Sequence, residues 1–147
     1  MSEKQAPSAS SDAQFPGETR GCTVIEVSPS ECLDLLQRFG GVPYRDLPSD
    51  FRGLVILDVR TAQEYRSGHL KGSINLDFRS LQFVDELAKL GRSNAFLVYC
   101  RTGVRSGRAI VLMRSLGFAE LYNLTGGITG WQKEGYEIVL DSNKHIL

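Results

Sequence analysis

Short apolar runs alternate along the chain with segments whose apolar residues recur at helical spacing. The runs predict five β-strands, at residues 23–27, 54–59, 73–76, 95–100 and 120–124. Two of these runs, 54–59 and 95–100, are almost continuously apolar, which is typical of central parallel strands covered on both faces.

Helices are predicted between the strands. Ser28 and Glu31 have the spacing of a capping box, in which each side chain accepts a hydrogen bond from the other residue's backbone N–H. Thr61 and Glu64 repeat this spacing. Further helices are predicted over residues 80–91, after Cys100, and towards the end of residues 126–133.

Apolar spacing also predicts which helical residues face the core. The residues expected to point inward from 80–91 are Leu81, Val84, Leu87, Ala88 and Leu90, and those from the helix after Cys100 are Ala109, Leu112, Met113 and Leu116.

The alternation of strands and helices predicts an α/β domain with a mainly parallel central sheet and helices on both faces. We expect one domain over residues 21–147, preceded by a flexible tail at residues 1–20 that is rich in Ser, Ala, Pro, Gln and Glu. Ligands of such sheets bind beyond the carboxyl ends of the strands. Cys100 lies at such an end.

Charge and cysteine content argue against several classes of function. The 17 basic residues balance the 17 acidic ones, whereas nucleic-acid and membrane-surface binders normally carry a basic excess. The longest apolar run, residues 95–100, is far shorter than the roughly 20 residues that cross a bilayer. Residues 1–20 lack the apolar core of a secretory signal. The three cysteines form no Cys-x-x-Cys pair, so we expect reduced thiols in the cytoplasm and no metal site.

The segment from Cys100 to Ser106, CRTGVRS, has the composition of an anion-binding loop. The first turn of a helix leaves backbone N–H groups unpaired and carries partial positive charge, which favours an anion. Gly103 permits the positive φ that curls such a loop, and Arg101 and Arg105 add charge. A thiol in that field should have a lowered pKa and react as the thiolate. The alternative is a small buried cysteine that only packs in the core.

This loop resembles the active-site loop of the rhodanese family, sulfurtransferases that carry sulfane sulfur on a cysteine. Two further segments carry the resemblance, LDVRTAQEYRSGHLKGSINL at residues 57–76 and LTGGITGWQKEGYEI at residues 124–138. The similarity extends in order over residues 23–140, so a rhodanese-like single domain is expected.

The resemblance implies a persulfide mechanism. Cys100 would be the nucleophile that takes sulfur from a small anionic donor such as thiosulfate and passes it to cyanide, to a thioredoxin-like protein or to another thiol. The residues expected to bind the donor are Arg101, Thr102, Gly103, Val104, Arg105 and Ser106. A supporting ion pair is expected between Asp58 and Arg60. We expect a monomer that requires neither a cofactor nor a metal.

Two rival functions remain at this point. The same fold houses dual-specificity phosphatases and arsenate reductases, whose loop has one more residue between the cysteine and the arginine; here Cys100 and Arg105 enclose four residues. The other rival is a non-turnover sulfur carrier or sensor that docks to a partner. Among the remaining residues, His69 is expected to stabilise a turn, Trp131 to pack in the core, and Cys32, near a helix start, to be at most mildly acidic.

Overall fold

The computed structural model describes residues 21–39 and 53–140. The predicted N-terminal tail lies outside these residues. The described part contains five strands, namely β1 (Thr23–Val27), β2 (Leu54–Asp58), β3 (Ile74–Asn75), β4 (Ala95–Tyr99) and β5 (Glu120–Leu124). It contains five helices, namely α1 (Pro29–Phe39), α2 (Ala62–Arg66), α3 (Phe83–Ala88), α4 (Val104–Ser115) and α5 (Gly127–Lys133).

The strands form one parallel sheet in the order β1-β5-β4-β2-β3. All five residues of β2 are buried, as its continuous apolar run predicts. One face of the sheet packs against α3 and α4, and the other packs against α1 and α5. The predicted α/β class and the helices on both faces are therefore confirmed.

Both predicted capping boxes are present. At α1, the Ser28 N–H donates to Glu31 Oε1 at 2.8 Å, and the Glu31 N–H donates to Ser28 Oγ at 3.2 Å. At α2, the Thr61 N–H donates to Glu64 Oε1 at 3.1 Å, and the Glu64 N–H returns a 3.2 Å bond to Thr61 Oγ1. Each box satisfies N–H groups that the start of a helix leaves unpaired.

The prediction for the helix over residues 80–91 is wrong in its start and in part of its inward face. A turn in which the Phe83 N–H donates to the Ser80 carbonyl at 3.1 Å precedes the helix, so α3 begins only at Phe83. Leu81 therefore lies outside the helix and is 95% exposed. The residues on this segment that are buried are Phe83, Leu87 and Leu90, whereas Val84 and Ala88 are exposed.

In α4, Ala109 and Met113 are fully buried as predicted, and Leu112 is partly buried against the same core, as is the C-cap residue Leu116. Among the described residues, no helix has the length and apolar character needed to cross a bilayer.

Candidate active site

Cys100 directly follows β4, which lies in the middle of the sheet, between β5 and β2. Helix α4 begins four residues later, at Val104, and its N-cap is Gly103 with a φ of 111°. Only glycine adopts such a φ without steric cost. The sequence prediction of a strand, a curled loop and a helix start around Cys100 is confirmed.

The sulfur of Cys100 is surrounded by hydrogen-bonding groups. The Gly103 N–H donates to Sγ at 3.0 Å, and the Ser106 hydroxyl oxygen lies 3.4 Å from Sγ. The residue is only 1% exposed. Burial acts to raise the pKa of Cys100, but the Ser106 side chain and the backbone N–H groups of Ser106, Gly103 and Thr102 outweigh it and lower the pKa. Charge on this sulfur is stabilised by the loop.

Helix α5 supports the loop from behind. The Ile128 N–H donates to the Cys100 carbonyl at 3.0 Å, and the Thr129 N–H donates to the Arg101 carbonyl at 3.1 Å. A Cβ atom on Gly127 would stand 2.5 Å from the Cys100 carbonyl oxygen, so only glycine fits there. These donors hold the carbonyls of Cys100 and Arg101 against the start of α5. Sequence reasoning missed this role, and the glycine pair at 126–127 was its only signal.

The two arginines of the loop have different surroundings. Arg105 forms two hydrogen bonds with Glu64 of α2, at 2.7 and 3.0 Å between guanidinium nitrogens and carboxylate oxygens. The hydrogen bond from Arg105 is the main reason that the pKa of Glu64 is lowered to about 2. Arg101 is exposed, and no carboxylate within residues 21–39 and 53–140 pairs with it. Arg105 also interacts electrostatically with Cys100, although Ser106 and the loop N–H groups are the main groups that lower the pKa of Cys100. A contribution from Arg101 stays a prediction.

A hydrogen-bond chain reaches Cys100 from an exposed carboxylate at the edge of the sheet. The Ser106 hydroxyl donates to Asn123 Oδ1 at 2.7 Å, and Asn123 Nδ2 donates to both carboxylate oxygens of Glu26 at 3.0 and 3.2 Å. Sequence reasoning named Ser106 but not Asn123 or Glu26. Thr102 and Val104, which are also predicted to bind the sulfur donor, are exposed residues of the loop.

Asp58 and Arg60 form the buried ion pair that the sequence predicts, with a shortest distance of 2.7 Å between Arg60 Nη2 and Asp58 Oδ2. Arg60 also donates to the Gly68 carbonyl at 2.7 Å, and the Asn75 side chain donates to the carbonyls of Asp58 and Arg60. The pair thus ties the end of β2 to the turn after α2. Its supporting role in catalysis stays a prediction.

Three other residues match or correct their expectations. His69 is buried in an isolated antiparallel bridge with Val139, and its Nδ1 lies 2.8 Å from the Tyr65 carbonyl oxygen of α2. Trp131 is 4% exposed and packs from α5 into the core. Cys32 is fully buried, and burial raises the pKa of its thiol to about 12, so the mild acidity considered from its position near a helix start is wrong.

This arrangement is suited to nucleophilic chemistry by sulfur. A lowered pKa raises the fraction of the thiol that is present as the nucleophilic thiolate at a given pH. The ring of N–H groups around Sγ also provides donors for negative charge that develops beside the sulfur.

Comparisons with known proteins place this geometry in context. Residues 45–134 match the family model of the rhodanese-like domain. The "Probable adenylyltransferase/sulfurtransferase MoeZ" of Mycobacterium tuberculosis is 33% identical over 90 residues, which are 61% of this chain but only 23% of MoeZ. The "Thiosulfate sulfurtransferase GlpE" of Pseudomonas savastanoi pv. phaseolicola is 33% identical over 81 residues, which are 55% of this chain and 74% of GlpE.

The fold has close counterparts among solved structures. A rhodanese-related protein from Thermoplasma volcanium superposes with a TM-score of 0.63, at 24% identity, over 80% of this chain and 99% of that one. This likeness supports the fold alone.

Proposed function

Because the chain belongs to the rhodanese-like domain family, we propose that it is a sulfurtransferase that carries sulfane sulfur as a persulfide on Cys100. The observation that carries the proposal is the hydrogen-bonded sulfur at the carboxyl end of β4, where the Gly103 N–H donates to Sγ at 3.0 Å. The similarity to GlpE, described as a thiosulfate sulfurtransferase, supports thiosulfate as a donor.

In the first step, the Cys100 thiolate attacks the outer sulfur of thiosulfate. The S–S bond of the donor breaks, sulfite leaves with the bonding electron pair, and Cys100 becomes a persulfide anion. The N–H groups of Thr102, Gly103 and Ser106 are the donors available to that negative charge. The reaction needs no general base, since the lowered pKa supplies the thiolate.

In the second step, cyanide or a thiolate attacks the terminal sulfur of the persulfide. The S–S bond of the persulfide breaks and Cys100 is restored as a thiolate, with thiocyanate or a new persulfide as product. A protein thiol is the proposed acceptor class, because the loop residues Arg101, Thr102 and Val104 are exposed and a protein surface can contact them. A covalent intermediate of this kind gives ping-pong kinetics.

The proposal is tested by locating the transferred sulfur. After thiosulfate treatment, mass spectrometry should find one added sulfur atom on the peptide that contains Cys100, and the thiosulfate:cyanide assay should show turnover. Cys100→Ser should abolish both results, because a hydroxyl oxygen does not carry a persulfide. Cys22→Ser and Cys32→Ala are the matched controls and should keep most of the activity.

The rival functions give different results in the same experiment. Brisk hydrolysis of p-nitrophenyl phosphate without a persulfide would replace the proposal with a phosphatase. A Cys100 persulfide that forms from a protein donor, with no thiosulfate:cyanide turnover, would replace it with a sulfur carrier.

A further inference from the structure

A line of hydrogen bonds joins an exposed carboxylate on the edge strand to the buried sulfur. This relay of hydrogen bonds runs from Glu26 on β1, through Asn123 on β5, to Ser106 on α4 and then to Cys100. Glu26 and Asn123 are partners in the β1–β5 register, so the strand pairing itself brings their side chains together. Asn123 is 5% exposed and Ser106 is fully buried.

Glu26 fixes which end of the Asn123 amide faces the active site. Both carboxylate oxygens accept from Asn123 Nδ2, at 3.0 and 3.2 Å. An ionised carboxylate accepts hydrogen bonds and donates none, so the amide nitrogen must face Glu26. The Thr125 hydroxyl donates to the same carboxylate at 3.1 Å and helps to hold it. Asn123 Oδ1 is thereby directed at Ser106.

Ser106 has one hydroxyl hydrogen and two neighbours that compete for it. Asn123 Oδ1 lies at 2.7 Å, and Cys100 Sγ lies at 3.4 Å. An amide oxygen offers no hydrogen of its own, so the 2.7 Å contact exists only if Ser106 donates. The hydroxyl stabilises a thiolate only while it donates to sulfur, and this donation would leave Asn123 Oδ1 buried and unpaired.

We propose that Asn123, oriented by Glu26, is a positioning residue that competes with Cys100 for the hydroxyl hydrogen of Ser106 and so weakens the hydrogen bond from Ser106 to the sulfur. The inference rests on the proposed function only in treating Cys100 as the sulfur nucleophile. Ser106 then lowers the pKa of Cys100 less than a hydroxyl without this second acceptor would, and the loop N–H groups supply the other hydrogen bonds to the thiolate. It also keeps the sulfur reactive, because the intrinsic nucleophilicity of a thiolate falls as its pKa falls.

The other charged groups near Cys100 belong to separate contacts. Arg105 pairs with Glu64 of α2, and Asp58 of β2 pairs with Arg60. Arg101 is exposed in the loop itself. In the described part of the chain none of these side chains forms a hydrogen bond with Asn123 or Ser106. Substitutions in the relay therefore leave the two ion pairs and Arg101 unchanged.

The test measures ionisation of Cys100 without any sulfur donor. In a Cys22→Ser background, ultraviolet absorbance of the thiolate and the iodoacetamide alkylation rate are followed against pH; Cys32, with its pKa raised to about 12, stays protonated. Asn123→Leu should move the midpoint to lower pH. At a fixed pH below the midpoint the thiolate fraction should rise roughly tenfold, the effect of one released hydrogen bond to a charged group.

Three further variants separate the relay from general effects. Glu26→Gln allows the amide of Asn123 to reverse, so it should shift the midpoint in the same direction by a smaller amount. The shifts of Asn123→Leu and Glu26→Gln should both vanish when combined with Ser106→Ala, because no hydroxyl is then present. Glu120→Gln removes a carboxylate from the same sheet outside the relay and should leave the midpoint unchanged.

An unchanged or raised midpoint in Asn123→Leu would overturn the proposal, as would a shift that persists beside Ser106→Ala. If Asn123→Leu fails to fold by circular dichroism, the exposed substitution Glu26→Gln, alone and with Ser106→Ala, decides between the same outcomes. Failure of the proposed function has a different signature, which is the absence of a Cys100 persulfide whatever the midpoint.

Discussion

At the scale of single residues, the two buried cysteines show what the loop contributes. Cys32 and Cys100 are 0% and 1% exposed. Burial raises the pKa of Cys32 to about 12, whereas the pKa of Cys100 is lowered despite its burial. The difference comes from the hydrogen-bond donors around Cys100, because burial acts on both thiols in the same direction. The hydrogen-bond donors that face a buried cysteine thus decide whether its pKa is raised or lowered.

Arg101→Ala should lower kcat/KM for thiosulfate, and the effect should depend strongly on salt. Arg101 is exposed, so its charge acts on the dianionic donor through solvent. We expect a loss of about threefold at low ionic strength, in the range of exposed ion pairs. The loss should disappear near 1 M salt, where the Debye length is about 3 Å.

Arg108→Ala is the matched control for this prediction, because Arg108 is also exposed but lies further along α4. It should change kcat/KM much less. Equal, salt-dependent losses in both variants would mean that the donor responds to overall charge and that Arg101 has no special place. Steady-state kinetics at a series of salt concentrations distinguishes the two results.

At the scale of elements, the site is made where two helix starts meet one strand end. The start of α4 supplies the N–H groups that face the sulfur, and the start of α5 binds the carbonyls of Cys100 and Arg101. The loop is therefore held on two sides, because the N–H groups of Thr102, Gly103 and Ser106 face the sulfur while the carbonyls of Cys100 and Arg101 bind α5. Such a preorganised ring of dipoles needs no rearrangement when charge appears on the sulfur.

Gly127→Ala should disable the site while the sheet remains intact. The new Cβ would press on the carbonyl groups of Cys100 and Arg101 and push the loop out of place. A displacement of about 1 Å in a catalytic loop can cost about a hundredfold in rate. We expect such a loss in kcat/KM for sulfur transfer and a rise in the pH midpoint of Cys100 alkylation.

Gly135→Ala controls for backbone strain. Gly135 has a φ of +83° and nothing within 4 Å of its missing Cβ, whereas Gly127 has a φ of +60° and the loop against it. Both variants should lose roughly 1–2 kcal/mol of stability from the left-handed backbone. Only Gly127→Ala should lose sulfur transfer. Full activity in that variant would contradict the proposed role of α5.

At the scale of the whole molecule, the sequence predicts best what depends on neighbours along the chain. The strands, the capping boxes and the loop at Cys100 follow from short-range patterns, and the structure confirms them. Leu81 shows the limit of this reasoning, because a turn that helical spacing does not reveal places it outside α3. The link from Glu26 to Asn123 joins residues 97 apart in sequence, and only the order of strands brings them together.

The ion pair of Glu64 and Arg105 also joins residues far apart in sequence, and it connects α2 to α4. Its two hydrogen bonds lower the pKa of Glu64 from 4.5 to about 2. A carboxyl group with a lowered folded-state pKa stabilises the fold at pH values above its unfolded pKa. That stability is lost as the pH falls from 4.5 towards 2, because the unfolded chain then takes up the proton first.

Glu64→Gln should therefore weaken the pH dependence of unfolding in this acidic window. We expect the variant to lose about 2 kcal/mol of unfolding free energy near pH 7, a value reduced for the partial exposure of the pair, and to lose almost nothing near pH 2. Glu86→Gln is the control, since Glu86 pairs with a Lys89 side chain that is 63% exposed and should contribute little at any pH. Urea unfolding at steps between pH 7 and pH 2 measures both. Parallel stability curves for wild type and Glu64→Gln would show that the ion pair does not couple the helices, and Arg105 would then be free to bind the donor without competition from Glu64.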